Sequence, residues 1–248
     1  MRRWAPALAG AGAVLALAAL LQAVIALGWV SRFAVAPPSE VIAAFPSLIA
    51  SEGLGAAFLS TFASTFAAAA IAATAGIPVG YLLYRFRRLD RAWESWIAAL
   101  FSAPMVLLYP AFLVVFGRSA LVGISMGAVV ASIPVILKTR EGFLGVSPVL
   151  IKVARSFGAD ERTVFAKVLL PGARGAIFTG LRLALIYAMI NVVGIEFLAN
   201  LGGLGYLVGE MFDRYEIPSM YAATLCVILA SALFYLLTGR LERWLSSR

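Results

Sequence analysis

Most of the side chains with which proteins make and break bonds are missing from this chain. It has no histidine and a single cysteine, Cys226, which lies in an apolar run. A disulfide within the chain, a His/Cys metal site and a Cys–His nucleophile pair are therefore excluded. No stretch has the G-x-x-x-x-G-K-[ST] spacing that cradles a nucleotide phosphate. The glycine-rich run 202–209 has no following Lys and Ser or Thr. A membrane enzyme acting on lipid would need clustered carboxylates or a nucleophile constellation at one membrane face, and none is present. No residue is assigned a catalytic role, and no metal or cofactor site is expected in the chain.

The remaining chemistry is that of isolated polar groups in oily surroundings. Glu196 lies near the end of the apolar run 174–199, where an ionisable group is costly and commonly faces a cavity or a partner. With Asn200, Gly203 and Gly205 it forms either a gate or a structural tie between its helix and the loop that follows. The alternative is a carboxylate shallow enough to reach headgroup water or to cap loop amides. Asn191, five positions earlier, is off its helical face. Ser102, Tyr109, Ser125, Ser132 and Tyr187 are polar positions in apolar segments and form a candidate substrate path. Each could equally bond its own backbone or a neighbouring helix. Arg182 either lines a pore or snorkels to the membrane surface.

The elements that must hold these groups are set by composition. Of 248 residues, 62% are hydrophobic and 13% charged, the balance of a polytopic membrane protein. Six segments are long enough to cross a bilayer: 7–30, 56–84, 95–116, 119–137, 174–199 and 219–239. The third carries Pro104 and Pro110 and is expected to bend. The first follows Arg2 and Arg3 but is too long for a signal-peptide core, so it is read as an uncleaved helix. With both termini inside, the cytoplasmic segments 2–3, 85–94, 138–174 and 240–248 hold 16 of the 20 Lys and Arg residues. The net charge of +8 is thus explained by topology and needs no nucleic-acid partner. Arg85, Arg87, Arg88 and Arg91 are placed against anionic lipid. Outside, 31–55 is expected to hold a short surface helix capped by Ser39, and 200–218 a re-entrant or interfacial element.

The loop 138–173 is unusually long and charged for a chain of this kind. Ser147-Pro148 opens a helix whose face carries Val149, Leu150, Val153, Ala154 and Phe157, and Gly158 ends it. Asp160 caps a second helix with Val164, Phe165, Val168 and Leu169 on its apolar face, and Pro171 is expected to stop it. This makes either a docking knob or an interfacial loop that packs on its own bundle.

Here the chain resembles a family. Ala154-x3-Gly158-x9-Val168-Leu169-Leu170-Pro171 is similar to the EAA loop of ATP-binding-cassette importer permeases, with Lys152 and Val153 where the family has Glu and Ala. Pro37-Pro38-Ser39-Glu40-Val41, Ala103-Pro104 with Pro110 and Phe116-Gly117, Gly180-Leu181-Arg182-Leu183-Ala184, and Glu196 with Ala199-Asn200 and Gly203-Leu204-Gly205-Tyr206 resemble the nitrate/sulfonate/taurine branch, in family order. The resemblance implies an all-α, type I importer-like bundle forming one permease domain over 1–248, multi-pass in a bacterial-type cytoplasmic (inner) membrane. Lys152, Ala154, Arg155, Phe157, Gly158, Ala159, Asp160, Phe165, Leu170 and Pro171 would dock on cytoplasmic ATP-binding subunits, which hold the ATP and Mg. A second permease copy or sister permease, an external solute-binding protein and membrane lipid are the other implied partners. Transport would proceed by alternating access. A non-transporting scaffold or assembly subunit is the competing reading.

Overall fold

The computed structural model describes residues 5–246, so Arg2, Arg3 and Arg248, used above for orientation, lie outside it. In order, the elements are α1 (Ala5–Ala26), α2 (Pro38–Ala50), α3 (Leu54–Arg85), α4 (Arg87–Ser102), a 3-10 turn (Met105–Leu108) and α5 (Tyr109–Phe116). There follow α6 (Ala120–Leu144), α7 (Pro148–Ser156), α8 (Glu161–Val164), a π-turn (Phe165–Leu169), α9 (Leu170–Ala199), α10 (Gly203–Asp213) and α11 (Ile217–Ser246). Among the described residues there is no strand.

The centre is a three-helix packing of α3, α6 and α9. Their contact is built from Ala68, Ala69, Ala72, Ala128, Ala131, Ala184 and Ala188, closed by Val135 and Val192. Small residues are needed because apolar packing between helices gains little in lipid unless backbones approach closely. Gly80 shows how close. A Cβ placed on it would lie 2.7 Å from both the Ile136 carbonyl oxygen and Thr139 Cβ of α6. Satellite clusters then seat α10 and α11 on this trio and on α2.

Four stretches among the described residues are long and apolar enough to cross a membrane: Leu54–Arg85, Ala120–Leu144, Glu161–Asp213, which contains α9, and Ile217–Leu236. Two of the six expected segments lie outside these four. The first is α1, a 22-residue helix over Ala5–Ala26 whose Gly12–Ala26 part is apolar. The third, expected to bend over 95–116, is broken. Ala103 is extended (φ −72°, ψ 139°), because Pro104 pushes the residue before it out of the helical region. The chain restarts as a 3-10 turn and the short α5. What precedes the break, α4, begins at Arg87 inside the stretch expected to be cytoplasmic, and it is amphipathic.

Three local expectations also change. Ser39 does not cap α2; Pro37 stands at the N-cap, Pro38 opens the helix, and the Ser39 amide donates to Gln22 Oε1 of α1 at 3.2 Å. Pro171 does not stop a helix but lies in the first turn of α9. The preceding π-turn, in which the Leu170 amide bonds the Phe165 carbonyl, carries the helical path from Glu161 onward. The loop expected over 138–173 consequently shortens to 145–169, since α6 runs on to Leu144 and α9 starts at Leu170.

Candidate functional site

Two sites emerge at opposite ends of α9. At its C-terminal end Asn200 takes a left-handed conformation (φ 52°) and its amide bonds the Glu196 carbonyl, ending the helix. Gly202 and Gly203, at φ 83° and 91°, turn the chain back so that α10 packs alongside. This turn aims the first amides of α10 at the Glu196 side chain, which is only 5% exposed. Its carboxylate accepts from the Gly205 amide at 3.1 Å and from Thr61 Oγ1 of α3 at 2.8 and 3.0 Å. Thr61 Oγ1 in turn accepts from the Leu204 amide at 2.8 Å. Helix starts leave amides without intrahelical partners. Here a carboxylate from the preceding helix and a hydroxyl from α3 satisfy two of them, so three helices share one polar knot.

The glycines at 203 and 205 are required by contact. A Cβ on Gly203 would strike the Glu196 carboxylate, and one on Gly205 the Val193 carbonyl and the Phe197 amide. Arg118, before α6, adds a bond from Nη2 to the Ala199 carbonyl at 3.0 Å. A small cavity of about 10 Å³ adjoins the knot, bounded by Ser60, Ser64 and Gly123.

At the other end of α9 stands the knob, 145–169. Ser147 is at the N-cap of α7 with Pro148 behind it, and Gly158 turns the chain at φ 77°. Asp160 caps α8, accepting from the Thr163 amide at 2.9 Å. These hydrogen bonds from Thr163, hydroxyl and amide, hold the exposed Asp160 carboxyl below its ordinary 3.8. Arg155 pairs with Glu161 across the turn at 2.7 Å.

The inner side of the knob is anchored. Val164 and Leu169 are buried with Phe143, Val146, Ala173 and Ile177, and Ile151, Ala154, Ala159 and Val168 pack against them. Phe165, expected on the docking surface, turns inward instead, edge-on to Tyr81 with ring centroids 4.9 Å apart. The outer side is bare. Val149, Leu150, Val153 and Phe157 are exposed, Phe157 to 88%, with Lys152 and Arg155 beside them. The single apolar face expected of α7 is thus divided: Ala154 turns inward, joined by Ile151 from outside that face, and Val149, Leu150, Val153 and Phe157 point outward. Gly158, Asp160, Leu170 and Pro171 are also exposed.

The five candidate path residues are not brought together. Ser125 and Ser132 bond carbonyls of their own helix, Leu121 at 2.6 Å and Val129 at 2.7 Å. Tyr109 packs against the Val122 and Met126 cluster. Ser102 ends α4, and Tyr187 lies on α9 with its carbonyl taken by Asn191 Nδ2. Arg182 neither lines a described cavity nor reaches outward freely; its guanidinium stacks on Tyr235 of α11, 4.4 Å from the ring centroid. Sequence reading missed Thr61, Tyr81, Phe143 and Ile151. Thr61 is one of four Ser and Thr residues in 60–65, and nothing local marks it as the partner of a residue 135 positions away.

Residues 72–248 match the family described as binding-protein-dependent transport system inner membrane component. A probable ABC transporter permease protein of Brucella melitensis is 27% identical over 172 residues, which cover 68% of this chain and 70% of that protein. The formylaminopyrimidine transport permease protein ThiX of Halalkalibacterium halodurans is 25% identical over 173 residues, covering 70% and 69%. Among solved structures, an inward-facing form of the MetNI methionine ABC transporter matches with a TM-score of 0.68 at 22% identity. That match covers 77% of this chain and 94% of the other. It is a likeness of fold.

Proposed function

Because the chain belongs to the binding-protein-dependent transport system inner membrane component family, we propose that it is the membrane-spanning subunit of an importer powered by separate ATP-binding subunits, moving a small solute by alternating access. The observation that carries this reading is the divided knob. Its outer side leaves Phe157, Val149, Leu150 and Val153 exposed beside two cations, while its inner side is fastened to α3, α6 and α9. An apolar patch with a polar rim is the mark of a protein contact. The inner aromatics Tyr81, Phe143 and Phe165 make the knob move with the bundle rather than independently of it.

In this mechanism the ATP-binding subunits, which hold ATP and Mg, draw together and carry the knob with them. The displacement biases a two-state bundle by differential contact. At the far end of α9 the Glu196 knot acts as the structural tie that makes α9, α10 and α3 respond as one body. The permease works with a second copy or a sister permease, in a bacterial-type cytoplasmic membrane, and receives its solute from an external binding protein. The chain itself contributes no bond-breaking group. Its solute is small, in the range of oxyanions, organosulfur acids and vitamin precursors. The formylaminopyrimidine and the methionine named for two similar transport proteins are chemically distinct, in keeping with a solute range of that breadth.

The test is extraction of the tagged chain from native membranes in several mild detergents, with identification of what accompanies it, for wild type and Phe157→Asp. We expect an ATP-hydrolysing subunit to accompany the wild type and to be lost from the variant at unchanged permease yield. A wild-type chain that emerges alone in every detergent, or a variant that keeps the ATPase, would leave the scaffold reading in possession.

A further inference from the structure

A groove of about 380 Å³ lies between α3, α4 and α6, lined by Val79, Leu83, Leu89, Trp93, Ile97 and Ile133 among others. The proposed mechanism makes no use of it. Its wall is apolar; the hydroxyl of Ser132, which borders it, is turned onto the Val129 carbonyl of its own helix. A polar solute finds nothing there to hydrogen-bond. Leu89, Trp93, Ile97 and Leu100 form one stripe of α4 along the groove, and Trp93 is 50% exposed, so the groove is open to its surroundings.

One end of the groove lies beside the arginine-rich stretch that joins α3 to α4. Arg85 follows Leu83 on α3, and Arg87, Arg88 and Arg91 flank Leu89 on α4; all four are exposed. On α6, Arg140 lies one turn beyond Ile136 and pairs with Asp90 of α4 at 2.5 Å. That ion pair ties α4 to α6 and occupies the carboxylate that would otherwise offset the α4 arginines. Residues 85–94 hold four arginines against two carboxylates, Asp90 and Glu94. The shape is apolar along its length and positive at one end, the complement of a phospholipid with an anionic headgroup.

We propose that this groove is a binding site for one anionic glycerophospholipid, its acyl chains lying between α3, α4 and α6 and its phosphate held by the arginines of 85–91. The charge pattern selects this occupant over a second copy of the chain. A two-fold contact through this face would set the same arginines against one another. The lipid packs along the apolar stripe of α4 and holds that amphipathic helix against the bundle. The inference needs only that the chain sits in a bilayer, so it stands apart from the ATPase-coupling reading.

The test uses full-length chain in which Trp4, Trp29, Trp96 and Trp244 are replaced by Phe, leaving Trp93 as the reporter. It is reconstituted in vesicles mixing phosphatidylcholine with phosphatidylglycerol, either one brominated on its acyl chains, and Trp93 quenching gives the relative affinity. One arginine near a membrane surface contributes about 1 kcal/mol, which is about fivefold in affinity. We expect phosphatidylglycerol to be preferred by at least about that factor. The preference should fall within about twofold for Arg88→Gln/Arg91→Gln, and for Val79→Phe, which fills the groove without touching a charge. A preference below about twofold in the parent overturns the proposal. So does a preference that survives Val79→Phe, since headgroup attraction alone would then suffice. Trp93 quenched by neither lipid would show the groove covered by protein and would also overturn it.

Discussion

Replacing Glu196 with Ala should destabilise the bundle by about 2–4 kcal/mol while leaving the knob, at the other end of α9, in place. The change removes the acceptor of the Gly205 amide and of the Thr61 hydroxyl. Each orphaned buried donor costs about 1–3 kcal/mol. Two give about 2–6 kcal/mol, and the lower part applies because an unfolded chain in a bilayer also finds hydrogen-bond partners. Leu204 keeps its acceptor, since Thr61 Oγ1 remains. The second arm, Thr61→Val, retains the shape at position 61 but removes both roles of the hydroxyl. Because the two residues share a bond, their effects should not add; a coupling of at least about 0.5 kcal/mol is expected from the double mutant. The assay is equilibrium unfolding of the purified chain in mixed micelles with increasing denaturing detergent, read by circular dichroism. A Glu196→Ala variant within about 0.5 kcal/mol of wild type, with a strictly additive double mutant, would refute the claim that this carboxylate ties three helices.

Other substitutions follow from the same geometry. Phe165→Ala empties the aromatic seat formed with Tyr81 and Phe143 and should cost about 3 kcal/mol; protease sensitivity within 145–169 should rise before global unfolding does. Gly80→Leu forces apart α3 and α6, where even a Cβ would lie 2.7 Å from a backbone carbonyl. A loss of about 1–3 kcal/mol is expected, with folded yield as the readout. The start of α8 should be pH-dependent. The Asp160 carboxyl is held below 3.8 by Thr163, so its contribution is complete above the unfolded value and is lost as pH falls through the lower folded one. Amide exchange at Thr163, corrected for intrinsic rate, should therefore accelerate on acidification below about pH 4, and Asp160→Asn should abolish that dependence.

Sequence rules worked where the cause is local and failed where two local rules compete. The caps at Ser147-Pro148, Gly158 and Asp160 depend on backbone groups within a few residues, and the structure has helix ends at each. Pro171 obeys a local rule too, but the π-turn before it widens the helix enough to accept the missing amide, and the path continues. Pro104 was a visible warning of a bend. Whether a helix bends or breaks depends on what packs on either side, and beside α4 an open groove provides no neighbour to hold the path straight. For α7, spacing located Val149, Leu150, Val153, Ala154 and Phe157 on one face but passed over Ile151, and it did not tell which residues face the bundle. Ile151 and Ala154 meet a surface supplied by α3, α6 and α9, from residues as far away as Tyr81.

What the sequence determined alone is therefore the solvent and the boundaries. Apolar length demands a bilayer, and the turns at Ser147-Pro148, Gly158 and Asp160 mark where helices begin and end, because these are properties of counted residues and their spacing. What only the tertiary structure decided is the pairing. Glu196 was conspicuous because a carboxylate in an apolar run is costly, yet its relief comes from Thr61 on α3 and from amides that the turn at Gly202 and Gly203 aims back. The Leu and Arg residues of 79–91 read as span and flank, and they become a groove with a charged mouth only when α6 closes the third wall and Arg140 engages Asp90. A chain advertises its costs residue by residue, but what offsets them is brought from a distance by packing.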